Sequence, residues 1–176
     1  MLPSFAANGF LPLGRYSLSV GEAEDMLVLA PEFLGSDTRW ALWDGLNKYL
    51  EPFFALEDSY ADALDGRTLI HRLWLGGSFV SAKTDPRNID ATLLIDVGAE
   101  RAVRGRPGSK WLTTAFQSRA HMLRKFGVSP VRVGYRPVGR GVWDDWWQRC
   151  RLPGHTDRSP SHESAAPARG YLEVRL

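Results

Sequence analysis

The sequence predicts an α/β fold of the α+β kind, with a small mixed sheet and helices mainly on one face. Three observations carry this expectation. Two short apolar runs, 69–75 and 89–97, read as strands. Apolar residues at spacings of three and four mark helices before and after them. The chain closes on an alternating segment, 170–176, that suits a final strand on a sheet edge. A length of 176 residues fits one domain over 1–176 with a real core.

Taken in order, residues 1–18 show no helical period. Asn8-Gly9 and Leu13-Gly14 punctuate them, so they predict an extended arm. Ser19 and Glu22 stand at capping-box spacing, which starts a short helix over about 20–29 that stops before Pro31. Ser36 or Asp37 then caps a longer helix whose Trp40, Trp43, Leu46, Leu50, Phe53 and Phe54 form one apolar stripe. Pro52 predicts a break or kink in it. Asp65-Gly66 marks a turn into the first strand, 69–75. The second strand, 89–97, is apolar enough to be central in a sheet. Past a glycine-rich connection, Ser109 caps a helix that carries Trp111, Leu112, Phe116 and Met122 and ends at Gly127. Residues 131–135 read as a third strand and 143–150 as a compact aromatic helix. The stretch 153–168, rich in Pro, Ser, His and Gly, reads as a flexible loop.

Composition narrows the function classes. Hydrophobic residues at 44% and charged residues at 24% are ordinary globular usage. No apolar run approaches the roughly 18–20 residues of a membrane span, so no membrane partner is expected. Met1-Leu2-Pro3-Ser4 has no basic region leading into an apolar stretch, which argues against a secretory signal and for a cytoplasmic location. The lone Cys150 has no partner for an internal disulfide and no second cysteine for a zinc site.

The net charge is only +2, but the charges are segregated. Ten basic residues, from Arg101 through Arg132 and Arg136 to Arg140, fall in a stretch without Asp or Glu. The other twelve of the 22 basic residues share the rest of the chain with all 20 acidic ones. This pattern reads either as a basic surface for RNA, other phosphates or a protein partner, or as side chains scattered over several faces.

The chemistry concentrates in Leu75-Gly76-Gly77-Ser78-Phe79-Val80 and, some ten residues on, Asn88-Ile89-Asp90. A strand runs into small residues and a serine; the next strand opens with polar groups at alternate positions, which point to one face. Small residues let the backbone approach a phosphate, and a helix start at Ser78 would offer free N–H groups to its oxygens.

These residues resemble the hallmark of the nucleotidyltransferase (polymerase-beta-like) superfamily. It consists of a hydrophobic residue, Gly, then Gly or Ser, followed by two acids separated by one hydrophobic residue. The chain is closer to a group of small bacterial proteins of unassigned function. Shared with that group are Gly14-Arg15-Tyr16, Gly77-Ser78-Phe79-Val80, the passage Lys83 to Asp90 and Arg169-Gly170-Tyr171-Leu172. The resemblance implies transfer of a nucleotide from a nucleoside triphosphate to a protein or RNA hydroxyl, with Mg2+ held by carboxylates. Carried onto this chain, Gly76, Gly77 and Ser78 cradle the phosphates, with Lys83 and Arg132 as further nucleotide-binding residues. Asp90 and position 88 are the catalytic, metal-binding pair.

The chain departs from that pattern. Position 88 is Asn, and the strand 131–135, where a third acid belongs, has none. Asp96 lies about 20 Å along the strand from Asp90 at roughly 3.3 Å per residue, too far to substitute. Asp85 in the connecting loop could swing in, whereas Asp144 and Asp145 belong to another helix. Arg132, facing the pocket, would repel metal and neutralise phosphate. The alternative is therefore a catalytically degenerate fold that binds a nucleotide, RNA or a protein, in a toxin–antitoxin or phage-defence setting by fold-level analogy alone.

Other residues have simpler readings. Trp143, Trp146 and Trp147 read as core packing before base stacking. His71 reads as structural, His155 and His162 as no metal pair, and Cys150 as buried or inert. Neither a nucleophile elbow nor a Walker loop occurs.

Overall fold

The computed structural model describes residues 3–135, 145–152, 154, 161 and 163–176. Its centre is a five-stranded mixed sheet. The strands are β1 (Arg15–Ser19), β2 (Ile70–Gly76), β3 (Ile89–Asp96), β4 (Val128–Tyr135) and β7 (Tyr171–Arg175), in the order β1-β7-β2-β3-β4. β2 runs antiparallel to β3 and to β7, while β1–β7 and β3–β4 are parallel pairs. Two three-residue strands, β5 (Arg149–Arg151) and β6 (Ala165–Pro167), pair separately.

The helices follow from local signals. Ser19 and Glu22 exchange both capping-box bonds and start α1 (Val20–Leu27), as expected. Glu22's carboxyl is held below its ordinary range by the Ser19 backbone and hydroxyl. In α2 (Arg39–Ser59), the Ser36 hydroxyl accepts from the amides of Thr38 and Arg39. This helix runs through Pro52. Its buried stripe is Leu42, Trp43, Leu46, Tyr49, Leu50, Phe53 and Leu56, whereas Trp40 and Phe54 of the expected stripe are exposed. A short α3 (Ala61–Leu64) ends at the left-handed Asp65.

Between β3 and β4 lie α4 (Val97–Val103), α5 (Trp111–Gln117) and α6 (Arg119–Phe126). The single helix expected from Ser109 to Gly127 is thus two. Ser118 adopts extended backbone (φ −138°, ψ 99°) and its side chain caps α6, so a hydroxyl in mid-run competes with helix continuation. Gly127 ends α6 in the left-handed region, as expected.

Strand alternation gives the sheet two unlike faces. Ile89, Ala91, Leu93 and Ile95 of β3, with Leu73 and Leu75 of β2 and Leu172 and Val174 of β7, meet the helices in the main core. Trp74, Leu94 and Tyr171 project from the other face and pack with Trp147 in a smaller core. Each large side chain so buried contributes about 1.5–3 kcal/mol.

Three expectations change at the C-terminal end. The last strand is interior, because β1 pairs along its outer side and Tyr171, Leu172 and Val174 are fully buried. Arg149–Arg151 is strand where a helix was expected, although residues 145–147 are helical. Within the expected loop 153–168, Ala165–Pro167 pairs with β5. Positions 153, 155–160 and 162, with His155 and His162, lie outside the described residues, as do Arg136, Arg140, Trp143 and Asp144.

Candidate functional site

The corner and the aspartate are built by neighbouring strands. Gly76 at the end of β2 pairs with Asp90 near the start of β3, and Asp90 pairs with Ser129 of β4 on its other side. Gly77 then turns with φ +71°, a conformation that favours glycine. A Cβ on Gly77 would collide with the Asp90 carboxylate. At Gly76 a Cβ would lie 2.6 Å from the Trp147 ring. The two glycines make room for these side chains. Ser78 lies in the 3-10 turn Gly77–Val80, and its carbonyl accepts from the Ser81 hydroxyl.

Arg39 anchors the loop after this corner. Its fully buried guanidinium donates to the carbonyls of Leu27, Phe79, Ser81, Lys83 and Thr84 and lies 3.6 Å from the Phe33 ring centre. Burial lowers its pKa to about 10, with Asp85 and Glu32 opposing, so it stays charged at neutral pH. The N-terminal arm crosses the same loop. Phe10 bridges Ser81, Gly9 accepts from Ala82, and the Asn8 amide reaches the Ala168 carbonyl. Leu11 accepts from Gly170, at which a Cβ would meet the Tyr16 ring at 2.7 Å. The glycine-bearing passages Gly14-Arg15-Tyr16 and Arg169-Gly170-Tyr171 are therefore neighbours, joined along β1–β7.

A cleft of about 550 Å³ opens on the sheet face away from the main helices. Asp90, Ser129 and Val131 come from the sheet, Asn88 from the loop before β3, Phe10 from the arm and Arg119 from α6. The C-terminal segment adds Trp146, Trp147, Arg149, Cys150, Arg151 and Arg169. Asn88 donates its amide to Asp90 Oδ1 at 3.0 Å. Arg119 donates to the Ser129 hydroxyl at 2.7 Å. Arg149 is held by Asp145 and by the Ala165 carbonyl, and Arg169 by the Trp147 carbonyl. Cys150 is free; burial pushes its thiol pKa up, with Arg169 opposing, which disfavours a thiolate nucleophile.

Of the residues expected to act together, Asn88 and Asp90 meet in the cleft, with Gly76 and Gly77 directly behind them. Lys83 is exposed, contributes its carbonyl to Arg39 and does not line the cleft. Arg132 does not line it either. β4 starts at Val128, so Ser129 and Val131 share the cleft face, while Arg132 pairs with the buried Glu100 of α4. Glu100 also takes Arg104. From the basic stretch 101–135, Arg119 lines the cleft, whereas Arg106 lies over Tyr60 and Lys125 over Phe126.

The donor set does not fit a pair of divalent cations. Asp90 is the one carboxylate lining the cleft among the described residues, which contain no group of three His, Cys, Asp or Glu side chains able to hold a metal. Asp85 does not line the cleft; it accepts from the Ser36 hydroxyl and the Asp37 amide. Asp96 caps α4 and Asp145 pairs with Arg149. The arginines that line the same cleft bring like charge against a cation.

Sequence reasoning missed Phe10, Ser129, Arg149, Arg151 and Arg169 as cleft residues. The alternation Arg149-Cys150-Arg151 was a strand signal hidden behind the Trp-rich run. The aromatic residues divide as packing dictates: Trp147 is buried on Tyr171, Trp146 lines the cleft, and His71 stacks on Tyr135 at 3.7 Å.

Sheet, helix layer and cleft together define a mixed α/β protein with a cationic cleft on its open sheet face. The chain belongs to a family of unknown function, DUF6932, whose match spans residues 3–175. Among curated proteins and among solved structures, nothing matches it. No helix among the described residues is long and apolar enough to cross a membrane.

Proposed function

We propose that this chain is a nucleotide-binding module on a nucleotidyltransferase-like sheet, one that holds phosphate with arginine rather than with metal. The observation that carries this reading is the make-up of the cleft: Arg119, Arg149, Arg151 and Arg169 line it with Asp90, the one carboxylate among its described lining residues. Guanidinium groups present forked N–H donors that match phosphate oxygens. The cleft volume falls within the roughly 300–1,000 Å³ of small-ligand sites. Phe10, Val131 and Trp146 supply apolar and aromatic surface for a base. Metal-dependent transfer, which the sequence resemblance implies, needs acids that this cleft lacks among the described residues.

Calorimetric titration with the four nucleoside triphosphates, in EDTA and again with magnesium, tests the proposal. Binding in EDTA that weakens with added salt is the expected result. Binding only with magnesium, or labelled nucleotide transferred to an acceptor in an Asp90-dependent way, would overturn it in favour of the enzyme.

A further inference from the structure

Resting on that nucleotide reading, we infer that the ligand carries a ribose and that Asp90 is the group that recognises its hydroxyls. The cleft is unbalanced in hydrogen-bonding terms. Its arginines can only donate, and phosphate oxygens can only accept from them. Asp90, the one carboxylate lining the cleft among the described residues, is a poor neighbour for phosphate, which would add like charge. A ligand in this space meets donors on the arginines and an acceptor on Asp90, so one that carries both acceptors and donors suits it. A ribonucleotide does so within one sugar, because its vicinal hydroxyls donate and its phosphate accepts.

Asp90 is also held in place for such a task. Asn88 donates to its Oδ1 at 3.0 Å, and Gly77 packs against the rest of the carboxylate, with a position 3.0 Å from its Cγ where a side chain would begin. Neighbours just before β3 and just after β2 thus restrict the carboxylate before any ligand arrives, which lowers the entropy cost of hydrogen bonding to it. The 2′-hydroxyl is the group that separates ribose from deoxyribose, so the arrangement predicts discrimination between them. The ribose could belong to a free nucleotide or to an RNA end, since both present the same hydroxyls beside a phosphate.

The experiment is calorimetric titration of the full chain, in EDTA, with each ribonucleoside triphosphate and its 2′-deoxy counterpart. A short single-stranded RNA and the DNA of the same sequence form a second arm. Ribose ligands should bind about tenfold more tightly than deoxyribose ligands, the scale of one hydrogen bond to a charged group. In Asp90→Asn this ratio should fall toward one while the ligands still bind through the arginines. Tighter binding of the RNA than of any mononucleotide identifies an RNA end as the source; equal or weaker binding identifies a free nucleotide. Equal wild-type affinity for ribose and deoxyribose forms overturns the inference and leaves the nucleotide reading standing. A preference that follows the base and ignores the sugar also overturns it, making a base amino group the partner of Asp90. Silence toward every ligand overturns both. Where Asp90→Asn fails to give a cooperative thermal transition, the wild-type ratio decides alone.

Discussion

Gly77, in the turn after β2, and Asp90 of β3 are packed so closely that no side chain can stand at position 77. The glycine takes φ +71° and its missing Cβ would overlap the Asp90 carboxylate. Backbone freedom and space therefore demand glycine at the same position. Gly77→Ala should cost about 1–3 kcal/mol from backbone strain alone, with the clash adding to it. Denaturant unfolding should show that loss, and nucleotide titration should show weakened binding as Asp90 is pushed aside. A variant as stable as the parent would refute this packing.

Position 88 offers a sharper test of the metal question. The Asn88 amide donates to Asp90, so Asn88→Asp replaces a hydrogen bond with two adjacent carboxylates. In EDTA the thermal midpoint should fall, because like charges now face each other. Millimolar magnesium should restore it in the variant and leave the parent unmoved. No response to magnesium in the variant would mean that the arginines keep cations out even from a paired acid site.

Arg39 should be the least replaceable charge among the described residues. Arg39→Met strands the carbonyls of Leu27, Phe79, Ser81 and Lys83 without their donor. Each buried carbonyl left without its donor costs about 1–3 kcal/mol. Arg39→Lys should lose nearly as much, since a single ammonium cannot span carbonyls from separate segments as a planar fork does. Urea unfolding of both variants checks this expectation.

The strands that flank the corner were legible because each is a local run of apolar residues, and the glycines were legible as places of close approach. What approaches them was not. Trp147 over Gly76 is separated by most of the fold, and a small residue says only that something comes near. Arg132 was misplaced for a related reason. A strand's faces invert with a one-residue change of register, and β4 takes its phase from Val128 and the parallel pairing with β3. β1, β5 and β6 are three to five residues long and exist through pairing with distant segments, so no local period announced them. The arginines of the cleft depend on that pairing as well.

Thr92 sits in β3 opposite Trp74, fully buried, and its hydroxyl has no hydrogen-bond partner among the described residues. An orphaned buried hydroxyl costs about 1–3 kcal/mol in desolvation. Thr92→Val keeps the branched shape and removes that cost. The variant should be more stable than the parent by about 1 kcal/mol in denaturant unfolding. Lower stability would show that the hydroxyl has a partner in solution, on the sheet face that carries the cleft.

Glu57 predicts a pH dependence whose sign can be worked out. Its side chain accepts from the amides of Leu69 and Ile70, at the entry to β2, yet burial is the larger influence and raises its carboxyl pKa above the ordinary 4.5. A folded-state pKa above the unfolded one means that the native protein holds this proton more tightly. Stability from this group is therefore greatest below pH 4.5 and falls as pH rises through the raised native value. Glu57→Gln keeps an acceptor oxygen for the two amides and removes the charge that burial disfavours. At pH 8 the variant should melt above the parent, and at pH 4, where both side chains are neutral, the two midpoints should converge. A variant that melts lower at pH 8 would mean that the charged hydrogen bonds at the start of β2 outweigh the desolvation of the carboxylate.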